Sequence, residues 1–299
     1  MNGPVGAVAL LGGSMEQVET FISGNKIPVG DWAKSVVDWL LAHVGWLFDF
    51  ITEALKLPID GTVYAFLLVP PLIFIVATAA LVFAIQRNGW LLFGTIVGMA
   101  FILNQGLWKP MIETLVLILY ATFFCLLIGI PIGIACARRP WVYRTLSPLL
   151  DMMQTIPTFV YLVPMLFLFG LGVVPGIIAT VIFALPAPIR LTYLGISQVH
   201  ASLVEAGESF GATRWQLLQM VKLPAAMPTI MAGVNQCIML CLSMVVIAGL
   251  VGAGGLGNVV VRALGQARMQ LGVEGGLAIV IVAIILDRTL KQRIRGKKM

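Results

Sequence analysis

Four cysteines are the residues of this sequence best suited to bind a metal ion. Each lies inside an apolar stretch, at Cys125, Cys136, Cys237 and Cys241. Cys237 and Cys241 are four residues apart and would share one helix face, which is the beginning of a soft-metal site. No His, Asp or Glu lies near them in the sequence, and buried cysteine usually packs as a small apolar residue. The sequence therefore predicts no metal site and no catalytic residue here.

A glycine cluster near the end of the chain matches the letters of a dinucleotide-binding fingerprint, from Gly252 to Gly257. That fingerprint requires a preceding strand and a surrounding βαβ unit, whereas this cluster follows a long apolar run. We therefore predict a flexible gate or a re-entrant turn, formed by Gly252, Gly254, Gly255 and Gly257. The phosphate-binding pattern Gly-x4-Gly-Lys-Ser/Thr does not occur in the sequence, which argues against an ATPase site in this chain.

The elements that position these residues must be membrane helices. Of the 299 residues, 60% are apolar and 11% are charged, against about 45–50% and about 25% in a typical soluble domain. The formal net charge is +6, but the basic residues separate apolar runs and do not form a basic face with interleaved aromatics. The composition predicts an all-α membrane protein and argues against nucleic-acid binding.

A helix needs roughly 20 apolar residues to cross about 30 Å of hydrocarbon, and this criterion predicts about seven transmembrane helices. They cover residues 64–85, 88–108, 114–137, 157–171, 174–190, 223 to the glycine cluster, and 271–286. The predicted domains are an N-terminal extracytoplasmic segment, two additional transmembrane helices, a core of five spans with a polar loop at 191–224, and a basic tail. Their bounds are 1–63, 64–108, 109–290 and 291–299.

Basic residues are concentrated in alternate loops and in the C-terminal tail. Because such loops stay in the cytoplasm, we predict a multi-pass protein of the bacterial inner membrane with its N-terminus outside and its C-terminus inside. The tail would contact anionic membrane lipid. We expect it to act as a topological anchor, and the alternative is a lipid contact that weakens as cytosolic salt rises.

Residues 1–63 contain a predicted amphipathic helix with Asp31 as its cap. Its apolar stripe consists of Trp32, Val36, Trp39, Leu40, Val44, Leu47, Ile51 and Leu55. Such a helix lies either in the membrane interface or against the protein's own helices. The sequence leaves both alternatives open.

The polar loop at 191–224 predicts two short helices that are divided at Gly211. Thr213 is the expected N-cap of the second helix, and Pro224 marks the return to the membrane. Small residues would allow another backbone to approach closely, with Phe210 and Trp215 as apolar knobs beside them. The loop is either a docking element for a separate protein or an ordinary loop folded on its own bundle.

The run Glu205-Ala206-Gly207, then Gly211, then Leu223-Pro224 resembles the EAA loop of ATP-binding-cassette importer permeases. Gly207 stands where that family has its second Ala. The resemblance implies a MetI-like permease core and a coupling helix that sits in a cleft of a cytoplasmic ATPase. The implied coupling residues are Glu205, Ala206, Gly207, Phe210, Gly211, Ala212, Leu223 and Pro224.

Further motifs lie in residues 151–164, 183–186, 223–236, 242–247 and 284–288. They resemble the subfamily of permeases that imports glycine betaine, proline and related osmoprotectants, and they cover most of residues 110–290. The resemblance implies that the chain works as a homodimer with two ATPase subunits and an extracytoplasmic binding protein. ATP and Mg would be bound by the ATPase, and no cofactor is expected in this chain.

A quaternary amine such as glycine betaine or choline can be held over aromatic faces by cation–π attraction. We therefore expect a translocation path lined by Tyr120, Phe123, Phe124, Phe159 and Tyr161, with the polar residues Asn235, Gln236 and Ser243. One alternative is a permease for another small solute. A second alternative is an ion-gradient-driven carrier, which would be expected to place ionisable residues in mid-membrane; the predicted spans hold none there.

Overall fold

The computed structural model describes Gly24 and residues 28–290, and within this part the chain is helical and contains no strand. The predicted basic tail, 291–299, lies outside the described residues. Three helices precede the predicted core, at α1 (Val29–Leu68), α2 (Pro71–Gln86) and α3 (Gly89–Asn104). The chain divides into two compact units, Met1–Trp46 and Leu47–Met299.

The described part of the first unit is the N-terminal half of α1, which confirms the predicted helix. It begins at Val29, two residues before the predicted cap, so Asp31 lies in the first turn. There its carboxylate favours the positive end of the helix dipole. The Trp39 and His43 rings stack with centroids 4.7 Å apart, and the Trp32, Trp39 and Trp46 side chains are exposed. The choice between membrane interface and internal packing stays open.

The first predicted span starts later than expected. Tyr64 belongs to α1, which continues to Leu68, and α2 begins only at Pro71. Pro70 and Pro71 explain the break, because proline lacks an N–H for the preceding turn and disfavours helical backbone in the residue before it. With 16 residues each, α2 and α3 are about 24 Å long, shorter than the roughly 30 Å of hydrocarbon. The predicted boundaries at 63, 108 and 290 remain predictions.

The core contains the five predicted spans. They are α4 (Trp108–Arg138), a bent pair of α5 (Pro140–Thr155) with Thr158–Phe169, the pair α7 (Val173–Ala184) and α8 (Pro186–Ser197), α11 (Leu223–Ala248) and α13 (Met269–Leu290). In the described part, five helices are long and apolar enough to cross a membrane, or up to six if the bent pair counts as one span. One of these is α1.

The predicted span at 157–171 is the second half of the bent pair. Its residues form a 3-10 helix, Thr158–Tyr161, and α6, Leu162–Phe169. The axis bends by 107° between α5 and this segment, because Pro157 ends the preceding helix at Thr155. The predicted turn after it is confirmed, since Gly170 and Gly172 have φ of 74° and 137°.

Small residues hold α8 against its neighbours and so fix the start of the polar loop. A Cβ on Gly129 of α4 would lie 2.7 Å from the Pro188 ring, and one on Gly133 would lie 2.6 Å from Thr192 Cβ. On the other side, Gly233 of α11 would place a Cβ 2.9 Å from Leu191. Close backbone approach of this kind is how helices associate in lipid. It makes α4, α8 and α11 a packed support for the loop that follows α8.

Candidate functional site

An exposed hairpin, residues 201–222, follows α8. Its first helix, α9 (Ala201–Ser209), ends in a Schellman motif, because Gly211 N–H donates to the Glu208 carbonyl at 2.9 Å and Ala212 N–H donates to the Gly207 carbonyl at 3.1 Å. This closure requires a left-handed residue, and Gly211 has φ of 77°. The predicted division of the loop at Gly211 is confirmed and has a local cause.

The second arm of the hairpin begins with the predicted cap. Thr213 precedes α10 (Arg214–Gln216) and forms a capping box with Gln216, in which Thr213 N–H donates to Gln216 Oε1 at 2.8 Å. A π-helix, Leu217–Lys222, then leads directly into α11. Wide turns of this type are rare and frequently occur at functional sites.

The base of the hairpin is packed against the core. Gly207 faces Leu217, whose Cδ1 would lie 2.7 Å from a Cβ at position 207. Leu218 and Leu223 join a cluster with Ile196, Ala226 and Ile230 that also contacts the end of α4. The Arg138 guanidinium of α4 lies 5.9 Å from the centroid of the Trp215 ring. These contacts support the hairpin from α4, α8 and α11, so a force on it would reach three core helices.

The tip of the hairpin carries the predicted apolar knob. The Phe210 side chain is 93% exposed, Trp215 is 55% exposed, and Glu205 and Ala206 are exposed beside them. Leu223 and Pro224 have another position, because Leu223 packs in the base and Pro224 opens the first turn of α11. The predicted coupling residues therefore divide into a protruding tip and a packed base.

The glycine cluster forms a turn between α11 and α12 (Gly255–Gly265). The sequence did not predict α12 as a separate helix. Gly252, Gly254 and Gly255 have φ of 78°, 81° and 69°, a region that glycine adopts without strain. Gly257 is needed for a different reason, since its Cβ would lie 2.4 Å from the Val246 carbonyl oxygen. The predicted turn is present, and its role as a gate remains a prediction.

Two residues of α4 that sequence reasoning missed hold this turn in place. Gly255 N–H donates to Glu113 Oε2 at 2.8 Å, and Leu256 N–H donates to Thr114 Oγ1 at 2.8 Å. Both donors are among the unpaired N–H groups at the start of α12, where negative charge is stabilised. A Cβ on Gly255 would lie 2.5 Å from Thr114 Oγ1. The turn thus offers two backbone N–H groups to side chains of α4, one to the Glu113 carboxylate and one to the Thr114 hydroxyl.

The structure separates the aromatic residues predicted for the translocation path. The Tyr120 hydroxyl donates to the Pro58 carbonyl at 3.1 Å and lies 2.9 Å from Thr62 Oγ1, which ties α4 to α1. The Phe123 and Phe124 rings contact each other on α4, with centroids 5.5 Å apart. Tyr161 packs instead with Met244 and Ala248 of α11, and Phe159 is exposed close by.

The polar residues predicted for the path lie on α11. Gln236 and Ser243, seven residues apart, are exposed on one face, whereas Cys237 and Cys241 are buried on another. Asn235 Oδ1 is buried without a hydrogen-bond partner among the described residues. The 158–161 segment contacts α11 through Tyr161, which packs with Met244 on the buried side of the helix, next in sequence to Ser243. Tyr120 is not part of this contact.

An apolar cavity of about 410 Å³ lies between α2, α3, α4, α11 and α13, with Phe66 from the end of α1 also in its lining. Apart from Thr78 and Thr122, its lining consists of apolar side chains such as Phe74, Met111 and Ile238. Transfer of a charged or zwitterionic solute into such a space costs several kcal/mol when no groups replace its water. This cavity is therefore unsuited to carry such a solute.

An ion pair that the sequence did not predict joins the bent pair to α8. Arg190 Nη2 donates to Asp151 Oδ1 of α5. Arg190 is the last residue of the predicted span 174–190, and in the structure it belongs to α8, the helix that enters the hairpin. The pair connects the 151–164 motif to the support of the hairpin.

Comparisons with known proteins give the family. Residues 129–289 match the family model described as "Binding-protein-dependent transport system inner membrane component". The chain is 47% identical over 273 residues to a glycine betaine transport system permease protein of Bacillus subtilis, covering 91% of this chain and 96% of that protein. It is 47% identical over 262 residues to a glycine betaine/proline betaine permease of Escherichia coli, covering 88% of this chain and 74% of that protein.

A solved structure of the MetNI methionine ABC transporter in an inward-facing conformation resembles the fold, with a TM-score of 0.55 and 25% identity. The similarity covers 63% of this chain and 92% of that one. The predicted permease fold and family are thereby confirmed. Because the family model matches more than half of the 299 residues, the chain belongs to the inner membrane components of binding-protein-dependent transport systems.

Proposed function

We propose that this chain is the permease of an ATP-driven importer for small quaternary-ammonium osmoprotectants of the glycine betaine type. The observation that carries the substrate class is 47% identity, across 91% of the chain, to a glycine betaine permease. A separate binding protein delivers the solute, and a separate ATPase binds ATP and Mg. The N-terminus lies outside the cell and the C-terminus inside, which places the exposed hairpin on the cytoplasmic side.

Coupling to the ATPase rests on the tip of the hairpin. Phe210 is 93% exposed and Trp215, on the same hairpin, is 55% exposed, and an exposed apolar patch on a polar loop indicates a site of protein interaction. The base of the hairpin packs against α4, α8 and α11, so movement of the tip is passed to the core. Phe210 enters the cleft of the ATPase, with Glu205, Ala206, Gly211 and Ala212 around it.

The translocation path and the homodimer rest on the polar face of α11. Polar side chains directed out of a membrane helix need a polar neighbour or a water-filled space. Gln236 is exposed on this face, and Ser243, exposed on the same face, donates its hydroxyl to the Met239 carbonyl at 3.0 Å. A second copy of the chain opposite this face would enclose a path lined by these residues. Phe159 and Tyr161 lie beside it and supply the aromatic faces for a quaternary amine.

Transport by reconstituted protein tests the function. The chain is placed in proteoliposomes with the ATPase and binding protein from the same organism, with ATP on the ATPase side, and uptake of labelled glycine betaine is measured. We expect uptake that requires ATP and is reduced by excess unlabelled glycine betaine but not by methionine. Uptake without the ATPase would identify a secondary carrier and contradict the proposal.

Retention of the ATPase by the purified permease tests the hairpin separately. Phe210→Ala removes the exposed aromatic, and Leu264→Ala is the matched control because Leu264 is 76% exposed on α12. A buried aromatic at the centre of an interface typically contributes about 2 kcal/mol or more, which is about 30-fold in affinity. Equal retention by the two variants would refute docking through Phe210.

A further inference from the structure

Three thiols that are distant in sequence meet inside the membrane core. Cys125 comes from α4, and Cys237 and Cys241 come from successive turns of α11. Their sulfur atoms all lie within 4.8 Å of one another. The sequence indicated only the proximity of Cys237 and Cys241 and predicted that they pack as small apolar residues. The third thiol adds a ligand from a second helix, so the three sulfurs can surround one ion between α4 and α11.

The surroundings of the three thiols are dry and nearly free of competing ligands. All three cysteines are 0% exposed, and no His, Asp or Glu joins the group among the described residues. Cys125 Sγ lies 3.5 Å from the Val181 carbonyl oxygen. Thr122, one turn before Cys125, is 8% exposed and its hydroxyl has no hydrogen-bond partner in the described part of the chain. The cluster therefore offers soft sulfur ligands and one spare polar atom.

The spacing suits one metal ion in the plane of three sulfurs. With a metal–sulfur distance of about 2.3 Å, trigonal coordination places the sulfurs about 4.0 Å apart. The observed limit of 4.8 Å is within side-chain adjustment of that value. Sulfur-only ligand sets select soft ions, of which Cu(I) accepts low coordination numbers without a carboxylate or imidazole.

We propose that Cys125, Cys237 and Cys241 form a binding site for a soft monovalent cation, Cu(I). Each cysteine that binds the ion does so as a thiolate and releases its proton. Coordination number favours Cu(I), because three sulfurs complete a low-coordinate shell for this soft ion, whereas a tetrahedral ion such as Zn²⁺ would need a fourth ligand. The bound Cu(I) joins α4 to α11.

Cu(I) titration of the reduced, detergent-purified chain under anaerobic conditions tests the site, with bathocuproine disulfonate as the competing chelator. X-ray absorption at the copper edge then reports the ligands. We expect one Cu(I) per chain, surrounded by sulfur at about 2.3 Å. Because loss of even an outer-shell partner costs about 10–100-fold in metal affinity, Cys125→Ala and Cys241→Ala should each weaken binding at least tenfold. Cys136→Ala is the matched control, because Cys136 is equally buried but outside the cluster.

X-ray absorption of copper bound to the unaltered protein does not depend on whether any variant folds. A copper shell of three sulfurs, together with unchanged affinity in Cys136→Ala, would establish the site. A shell dominated by nitrogen or oxygen, equal affinity in the cluster variants and the control, or no chelator-resistant copper would overturn it.

Discussion

Removal of the Glu113 carboxylate should destabilise the glycine turn far more than its position near the start of α4 suggests. Glu113 Oε2 accepts the Gly255 N–H at 2.8 Å, across 142 residues of sequence. The side chain is 26% exposed, so water replaces the carboxylate only in part. A hydrogen bond to a charged group contributes about 1.5–3 kcal/mol, and charge at a helix N-terminus contributes about 0.3–1 kcal/mol. We expect Glu113→Ala to lower the free energy of unfolding by about 2–4 kcal/mol.

Two further variants separate the parts of this effect. Glu113→Gln keeps an acceptor oxygen but loses the charge, so we expect about half the loss seen for Glu113→Ala, because charged hydrogen bonds are about twice as strong as neutral ones. Lys109 Nζ lies 3.9 Å from Glu113 and is 70% exposed, and such surface ion pairs contribute little. Lys109→Ala should therefore leave stability almost unchanged.

Thermal unfolding of the purified protein in detergent, followed by tryptophan fluorescence, measures these differences. A double-mutant cycle with Thr114→Val, which removes the neighbouring acceptor for Leu256 N–H, should show a coupling energy of about 0.5 kcal/mol or more, since the two bonds hold the same helix end. Destabilisation by Lys109→Ala as large as that by Glu113→Ala would contradict this role of the carboxylate, and so would melting of all Glu113 variants at the temperature of the unaltered protein.

Two glycine substitutions test whether the close approaches and turns are required. Gly257→Ala should destabilise the protein by several kcal/mol, because its Cβ would meet the Val246 carbonyl oxygen at 2.4 Å. Gly265→Ala, on the same helix, should be neutral or stabilising, because a Cβ there has nothing within 4 Å. Thermal unfolding compares the two variants, and equal melting temperatures would contradict the packing at Gly257. Gly211→Ala should lower the stability of the hairpin by about 1–2 kcal/mol, because Gly211 has a left-handed φ of 77°, and it should also reduce ATPase retention. Gly211→Asn should lower stability less, since Asn tolerates the left-handed region. Equal retention by these two Gly211 variants would show that the Schellman closure does not control docking.

The departure of Gly207 from the EAA loop that this hairpin resembles has a local explanation in the packing. The resemblance predicts Ala at this position, and a Cβ there would meet Leu217 Cδ1 at 2.7 Å. Leu217 is held in the buried base by the π-helix, so the smaller residue accommodates the larger one. The contact involves the end of a flexible side chain and can adjust. The substitution therefore alters how α9 rests on its base without changing the exposed tip.

The sequence by itself determined the features whose causes lie within one or two helical turns. Long uncharged runs predicted the core spans, because a charged side chain in the hydrocarbon is costly in any arrangement of the helices. Gly211 and Thr213 predicted the division and the cap of the hairpin, since a left-handed glycine and a capping hydroxyl act on neighbours at most four residues away. Tyr64 was wrongly predicted as the start of the first span, because counting apolar residues does not detect the helix break at Pro70 and Pro71.

Only the tertiary structure decided which distant residues meet. Glu113 with Gly255, Arg190 with Asp151, and Cys125 with Cys237 each join separate helices. The apolar pattern that places a helix in the membrane is almost the same on every face, because lipid and protein neighbours are equally apolar. Helix rotation and partner choice therefore depend on small-residue contacts and buried polar bonds that form only when the whole bundle is packed.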